Sequence, residues 1–139
     1  MNDEKPLVWV GASRKELVAM PEEVCRTFGF VLGKVQNGDD DESIKPLTGR
    51  KEFKGAKVRE ICEDLDTNTY RAVFTVEYDE AVYVLYRFQK KSKRGKQTPG
   101  EDIERILGRL KQAEMMRPAV LKEIAAKKAR NTPVQVGEK

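Results

Sequence analysis

The chain contains no histidine, and its 139 residues hold two cysteines and one tryptophan. Without imidazole there is no side chain whose ordinary pKa lies near neutrality, so chemistry on a polyanion falls to arginine, lysine, tyrosine or carboxylates. Cys25 and Cys62 lie far apart with no histidine to join them, which excludes the usual zinc ligand sets and a disulfide framework. They read as small core residues in a reducing compartment. No run approaches the ~18 consecutive apolar residues a membrane span requires. The chain opens on Asn2-Asp3-Glu4 rather than a basic stretch leading into an apolar one, unlike a secretory leader. A cytoplasmic protein with no membrane contact is the expectation.

What is present is charge. Hydrophobic residues make up 39% of the chain and charged residues 36%, a balance that suits a soluble globular protein with a heavily solvated surface. The length suits one core. The net charge of +4 is modest, but its distribution is uneven. Asp39-Asp40-Asp41-Glu42 is a compact acidic block, whereas Arg87, Lys90, Lys91, Lys93, Arg94 and Lys96 follow one another without an anion between them.

Leu7-Val8-Trp9-Val10 reads as a first strand, stopped by Gly11. Ser13 is expected to cap a short helix with Glu16 completing a capping box, and Pro21 to open a second helix in which Val24, Phe28, Val31, Leu32 and Val35 recur at helical spacing. Gly29 and Gly33 in that helix suggest close packing against a neighbour. Asn37-Gly38 and the acidic block read as a loop, and Ile44 to Phe53 is polar and glycine-containing, with Lys45-Pro46-Leu47 expected to pack one leucine into the core. Three strands then follow as an antiparallel meander: one around Val58-Arg59-Glu60-Ile61, one alternating from Tyr70 to Tyr78 after a turn through Asp66, Thr67 and Asn68, and one from Ala81 to Phe88. Thr98 is placed to cap a helix entered through Pro99, with Ile103, Ile106, Leu107 and Leu110 as its apolar stripe. Pro118 is expected to kink or stop it, with a further short helix and a mobile tail from Lys127. The order is strand, helix, helix, strand, strand, strand, helix. The fold class is α+β, two helices packed on a small curved antiparallel sheet, with a domain over 1–114 and a helical extension over 115–139.

Arg71 is the first candidate for chemistry. It lies on the strand face opposite the aromatic residues, and a guanidinium there is either solvated or directed into a concave surface, where it can bond phosphate in bidentate fashion. Arg87, Lys90 and Lys91 are expected to converge with it in one hollow. Cations beside an aromatic-rich sheet are the two components of single-stranded RNA binding; Tyr83 and Tyr86 are expected to be mostly core. Lys54, Lys57 and Arg59 add cations close by if the strands pair, and Lys93 and Arg94 extend the basic segment. RNA cleavage by 2′-hydroxyl attack needs a base, an acid and stabilisation of a phosphorane. Glu60 or Glu63 is a candidate base, and a lysine or tyrosine a candidate acid.

Lys45-Pro46-Leu47, Val58-Arg59-Glu60-Ile61, Tyr70-Arg71-Ala72-Val73-Phe74 and Val84-Leu85-Tyr86-Arg87-Phe88-Gln89-Lys90-Lys91 ending at Thr98-Pro99 together resemble the phage-derived branch of the RelE/HigB toxin superfamily. The resemblance covers about three-quarters of the chain and implies a compact α/β toxin that cleaves messenger RNA on the ribosome without a metal or other cofactor. It also implies a partner antitoxin, encoded nearby as a helix-turn-helix protein. Carried over by motif, Arg71 would stabilise the transition-state phosphate, with Arg87, Lys90 and Lys91 binding RNA or neutralising the leaving group. Relatives often place arginine after the Glu-aliphatic pair of the second strand, where this chain has Cys62. The segment after Arg117 lies outside the pattern and reads as an extra helix, an element for homodimer formation or an antitoxin-contacting tail. Two other classes stay open: a non-catalytic, ParE-like inhibitor of DNA gyrase, and a phage accessory protein that binds nucleic acid without cutting it.

Overall fold

The computed structural model describes residues 4–90 and 100–131. A five-stranded sheet with strand order β1-β5-β4-β3-β2 carries helices on both faces, confirming the α+β class. The expected meander forms its centre: β3 (Val58–Leu65), β4 (Asn68–Thr75) and β5 (Val82–Lys90) are successively antiparallel. The first strand, β1 (Leu7–Trp9), joins the far side of β5 in parallel register, Leu7 opposite Val82 and Trp9 opposite Val84.

Two short elements were not expected. The polar, glycine-containing stretch from Ile44 carries no element in the expected order, whereas Ile44–Pro46 forms β2 and Lys51–Gly55 forms α3. β2 is too short to show alternation and exists through its pairing with β3, Ile44 opposite Ile61 and Pro46 opposite Arg59. As the outermost strand it accommodates proline. Leu47 is buried as expected.

The helices α1 (Ser13–Val18) and α2 (Glu22–Gln36) cover one face. All five stripe residues of α2, Val24, Phe28, Val31, Leu32 and Val35, are buried, packing with Ile61, Tyr70, Ala72, Phe74, Val82 and Val84. Burying a side chain such as Phe28 completely contributes about 1.5–3 kcal/mol. On the other face Val58, Val73, Tyr83, Leu85 and Phe88 pack with Phe53 of α3 and with Ile106 and Ala113 of α4 (Gly100–Asn131). Covering both faces makes β4 central, so its alternation separates two buried sides rather than core from water.

Four local expectations are corrected. Ala12, not Ser13, is the N-cap of α1; Ser13 lies inside the helix with its hydroxyl buried and unpartnered, and Glu16 is engaged by Arg109 instead. Gly29 and Gly33 face open space, with nothing within 4 Å of where a Cβ would stand. Pro118 does not stop α4, which runs unbroken for 32 residues across the boundary expected after residue 114. Proline removes a hydrogen bond to the Glu114 carbonyl, but Pro118 and Glu114 are exposed, so water can satisfy that oxygen. The helix is also clamped around this point, by Arg109 to Glu16 and by Arg117 to Glu80. The tail expected from Lys127 is helical as far as Asn131. The cap at Thr98 and Pro99 lies outside the described residues.

Candidate functional site

The α4-facing side of the sheet places Arg71 between Cys62 of β3 and Phe88 of β5. Glu60, two residues from Cys62, is diagonal to it. Arg71 Nη1 donates to both Glu60 carboxylate oxygens at 2.9 Å, and the two side chains are only 13% and 8% exposed. Arg71 Nε is buried without an acceptor, so the guanidinium keeps an unused donor. Its Cζ stands 5.9 Å from the centroid of Phe88, a cation–π contact, and Phe88 stacks with Tyr86 at 6.1 Å between centroids.

Cys62 and Tyr86 beside it are held in their protonated forms. Burial pushes the Cys62 thiol up, the Glu60 charge pushes the same way, and Arg71 opposes both; a thiol so placed is a poor nucleophile. Tyr86 donates to Asp102 Oδ1 at 2.8 Å, and its phenol is pushed up to about 12 by burial and by that hydrogen bond. Among the described residues no group of three His, Cys, Asp or Glu side chains could hold a metal ion.

Arg87 does not join this cluster. It lies opposite Ala72, on the reverse face, where its Nε donates to the Glu16 carbonyl of α1 at 2.9 Å. The cause is a β-bulge between Val73 and Phe74. Continuing the Phe74–Val84 and Thr75–Tyr83 register back along the strands would set Arg71 opposite Arg87. Leu85 is the extra residue, and it shifts the partner of Arg71 to Phe88. The expected convergence of Arg71 with Arg87 is therefore not what the fold provides.

The backbone of Lys90 pairs with Thr69 at the end of β5. Lys91, Lys93 and Arg94 lie outside the described residues. Lys54, Lys57 and Arg59 are exposed and line a separate groove of about 560 Å³ between α3, β3 and the end of β2, together with Arg50 and Lys51. Arg50 and Lys51 were missed, although residues 50–59 hold five cations against the single anion Glu52.

Sequence reading also missed the arginines that dock α4. Arg109 forms a two-pronged pair with Glu16, at 2.9 and 2.8 Å, and donates to the Leu85 carbonyl at 2.8 Å. Arg117 donates to Glu80 at 2.7 and 3.0 Å and lies 4.1 Å from the Tyr78 ring centroid. Their carboxylate partners are remote in sequence, so no local pattern marks them.

A family model described as phage derived protein Gp49-like (DUF891) matches residues 15–111, and the chain belongs to that family. Among solved structures, it is similar to a chain of the toxin–antitoxin complex RelBE2 from Mycobacterium tuberculosis, at 14% sequence identity and a TM-score of 0.44, covering 64% of this chain and 94% of that chain. No curated protein matches the sequence.

Proposed function

We propose that this chain is the toxin of a toxin–antitoxin pair and that it cleaves messenger RNA on the ribosome without a metal, under the control of a helix-turn-helix antitoxin. Membership of a phage-derived family supports the toxin reading, alongside the motif resemblance to RelE/HigB toxins. The observation that carries the chemistry is the Arg71–Glu60 pair, a guanidinium with an unused donor beside a carboxylate. In this reading Glu60 accepts the 2′-hydroxyl proton as that oxygen attacks phosphorus, and Arg71 stabilises the charge of the phosphorane. The bond to the 5′-oxygen then breaks, leaving a cyclic 2′,3′-phosphate, and the ammonium of Lys90 supplies the proton to the departing oxygen. Arg87 is assigned a structural role.

The test is induction of the chain in a bacterium with primer-extension mapping on translating ribosomes. Wild type is expected to arrest growth and create new 5′ ends, and Arg71→Lys and Glu60→Gln to abolish both while remaining folded. Arrest accompanied by DNA damage without new 5′ ends would overturn the nuclease reading. One observation favours that second reading, a toxin that inhibits DNA gyrase by binding. Of Arg71, Arg87 and Glu60, only Arg71 and Glu60 meet, and they neutralise one another.

A further inference from the structure

The two edges of the sheet are built differently. β2 presents Lys45 and Pro46, a charge and a missing donor of the kind that keep an edge strand from pairing with another chain. β1, at the opposite edge, is Leu7-Val8-Trp9 and has neither. Its inner side is fixed to β5, where the Val82 N–H donates to the Pro6 carbonyl and the Val10 N–H to the Val84 carbonyl, both at 3.0 Å. Backbone groups alternate along a strand, so the N–H and C=O of Leu7 and Trp9 point outwards. Among the described residues no strand lies beyond them. The edge is also anchored at its start: the Lys5 N–H donates to the Gln36 carbonyl at 2.9 Å, and Gln36 Nε2 donates to the Lys5 carbonyl at 2.7 Å. A strand held in this way loses little freedom on pairing.

A groove of about 310 Å³ runs between this strand and the C-terminal half of α4. Val8 lines it from β1 and Met116, Val120 and Ile124 line it from α4, with Glu123 and Lys127 exposed beside them. Neither Glu123 nor Lys127 has an ion pair among the described residues. Both sides of the groove lie outside residues 15–111, the part of the chain shared with the family.

We propose that β1 and this groove form the contact between two copies of the chain, joined antiparallel about a two-fold axis at Val8. The inference does not rest on the nuclease reading. In that register Leu7 and Trp9 of one copy each exchange N–H···O bonds with Trp9 and Leu7 of the other, and the two Val8 residues face one another as the closely spaced, non-hydrogen-bonded pair. Val8 packs on the α4 side of the sheet, so its counterpart enters the apolar groove. On the other side Leu7 and Trp9, both half-buried against the α1 and α2 cluster, cover one another as an aromatic–aliphatic cross-strand pair. A second copy is the occupant because the surface is self-complementary, as a two-fold contact must be. Two outward-facing residues flank one centre, and the exposed margin carries one charge of each sign, so that Glu123 of each copy meets Lys127 of the other. Ala119 and Ala126 share the Glu123 face of α4 by helical spacing and are exposed, which leaves room for the second helix.

The test measures association of the full chain against concentration, by sedimentation equilibrium and by the fluorescence of Trp9, the one tryptophan of the chain. Wild type is expected to dimerise, with its emission moving to shorter wavelength as Trp9 is covered. Glu123→Lys and Lys127→Glu each set like charges together at both contacts and are expected to weaken the dimer about tenfold. An equal mixture of the two variants should recover the affinity, because each contact then joins opposite charges; a charge that acts only within its own helix would not respond to mixing. Hydrogen exchange tests the strand itself. The amides of Leu7 and Trp9 should slow as concentration rises, whereas that of Val10, already bonded to β5, should not change. A wild type that stays monomeric at its highest soluble concentration overturns the proposal. So does a dimer whose Leu7 and Trp9 amides exchange at the monomer rate, or one that mixing the two charge variants fails to restore.

Discussion

Replacing Arg71 with alanine should cost stability as well as function, and separating the two is the sharpest test of the site. The pair it breaks is almost fully enclosed, with 13% of the arginine and 8% of the glutamate side chain exposed. Removing the guanidinium leaves the Glu60 carboxylate, 8% exposed, without its partner between Val73 of β4 and Lys45 of β2, the residues opposite it. Loss of one partner from a buried pair costs about 3–5 kcal/mol, and loss of the Phe88 contact about 0.5–1 kcal/mol more. An arrest phenotype that vanishes in Arg71→Ala would therefore say little alone, since a domain with about 5–15 kcal/mol of stability would be brought near its threshold. The double variant Arg71→Met/Glu60→Leu removes both charges and refills the space with apolar groups. It should recover most of the loss, because the pair's mutual attraction largely offsets its own desolvation. Urea denaturation of wild type, Arg71→Met, Glu60→Leu and the double variant yields the coupling directly, with Arg71→Ala and Glu60→Gln measured beside them. Expected is a large cost for Arg71→Ala, a smaller one for Glu60→Gln, near-wild-type stability for the double variant, and no growth arrest from it. A cost below about 0.5 kcal/mol for Arg71→Ala, the range of ordinary surface substitutions, would show that the pair is solvated, and the argument for a preorganised site would fail.

Two further outcomes follow from the scaffold. Gly29→Ala and Gly33→Ala should each stabilise the protein by about 0.4–1 kcal/mol, since both positions are helical with room for a methyl group; a fall in melting temperature would mean that something covers this face of α2. The Arg117 hydrogen bond, chiefly, and that of Tyr83 hold Glu80 down at about 2. A carboxylate depressed on folding contributes stability that is fully present above its unfolded value, near 4.5, and is lost as pH falls towards 2. Glu80→Gln should flatten the acid limb of the stability profile across that window, and an unchanged limb would place the acid sensitivity elsewhere.

How much of this was legible in the chain depended on whether the determining contact was local. The stripe of α2 needs only its own spacing, and all five expected positions are buried. β2, α3 and the parallel addition of β1 to β5 depend on partners remote in sequence, and their short segments carry no periodicity of their own. Glycines that fit close packing proved to face open space, because spacing shows which residues share a helix face but not whether that face is covered.

The site was half legible for a reason that can be traced through register. Asp66, with φ of 59°, and Thr67 form a two-residue connection between Leu65 and Asn68, which pair directly. Counting back from that turn sets Cys62 opposite Arg71 and Glu60 on the diagonal, so their meeting could have been derived once the turn's length was known. On the other side of β4 the same counting fails. Within β5, alternation correctly separates Arg87 from Phe88, yet it cannot say which of the two faces Arg71, because a one-residue shift exchanges the faces. Counted from the β4–β5 connection, the register pairs Arg71 with Arg87, and only the extra residue at Leu85 exchanges the arginine for a phenylalanine. That bulge sends Arg87 to α1 and leaves Arg71 with Glu60, so the composition of the site is decided by a feature that no spacing of residue types in the sequence announces.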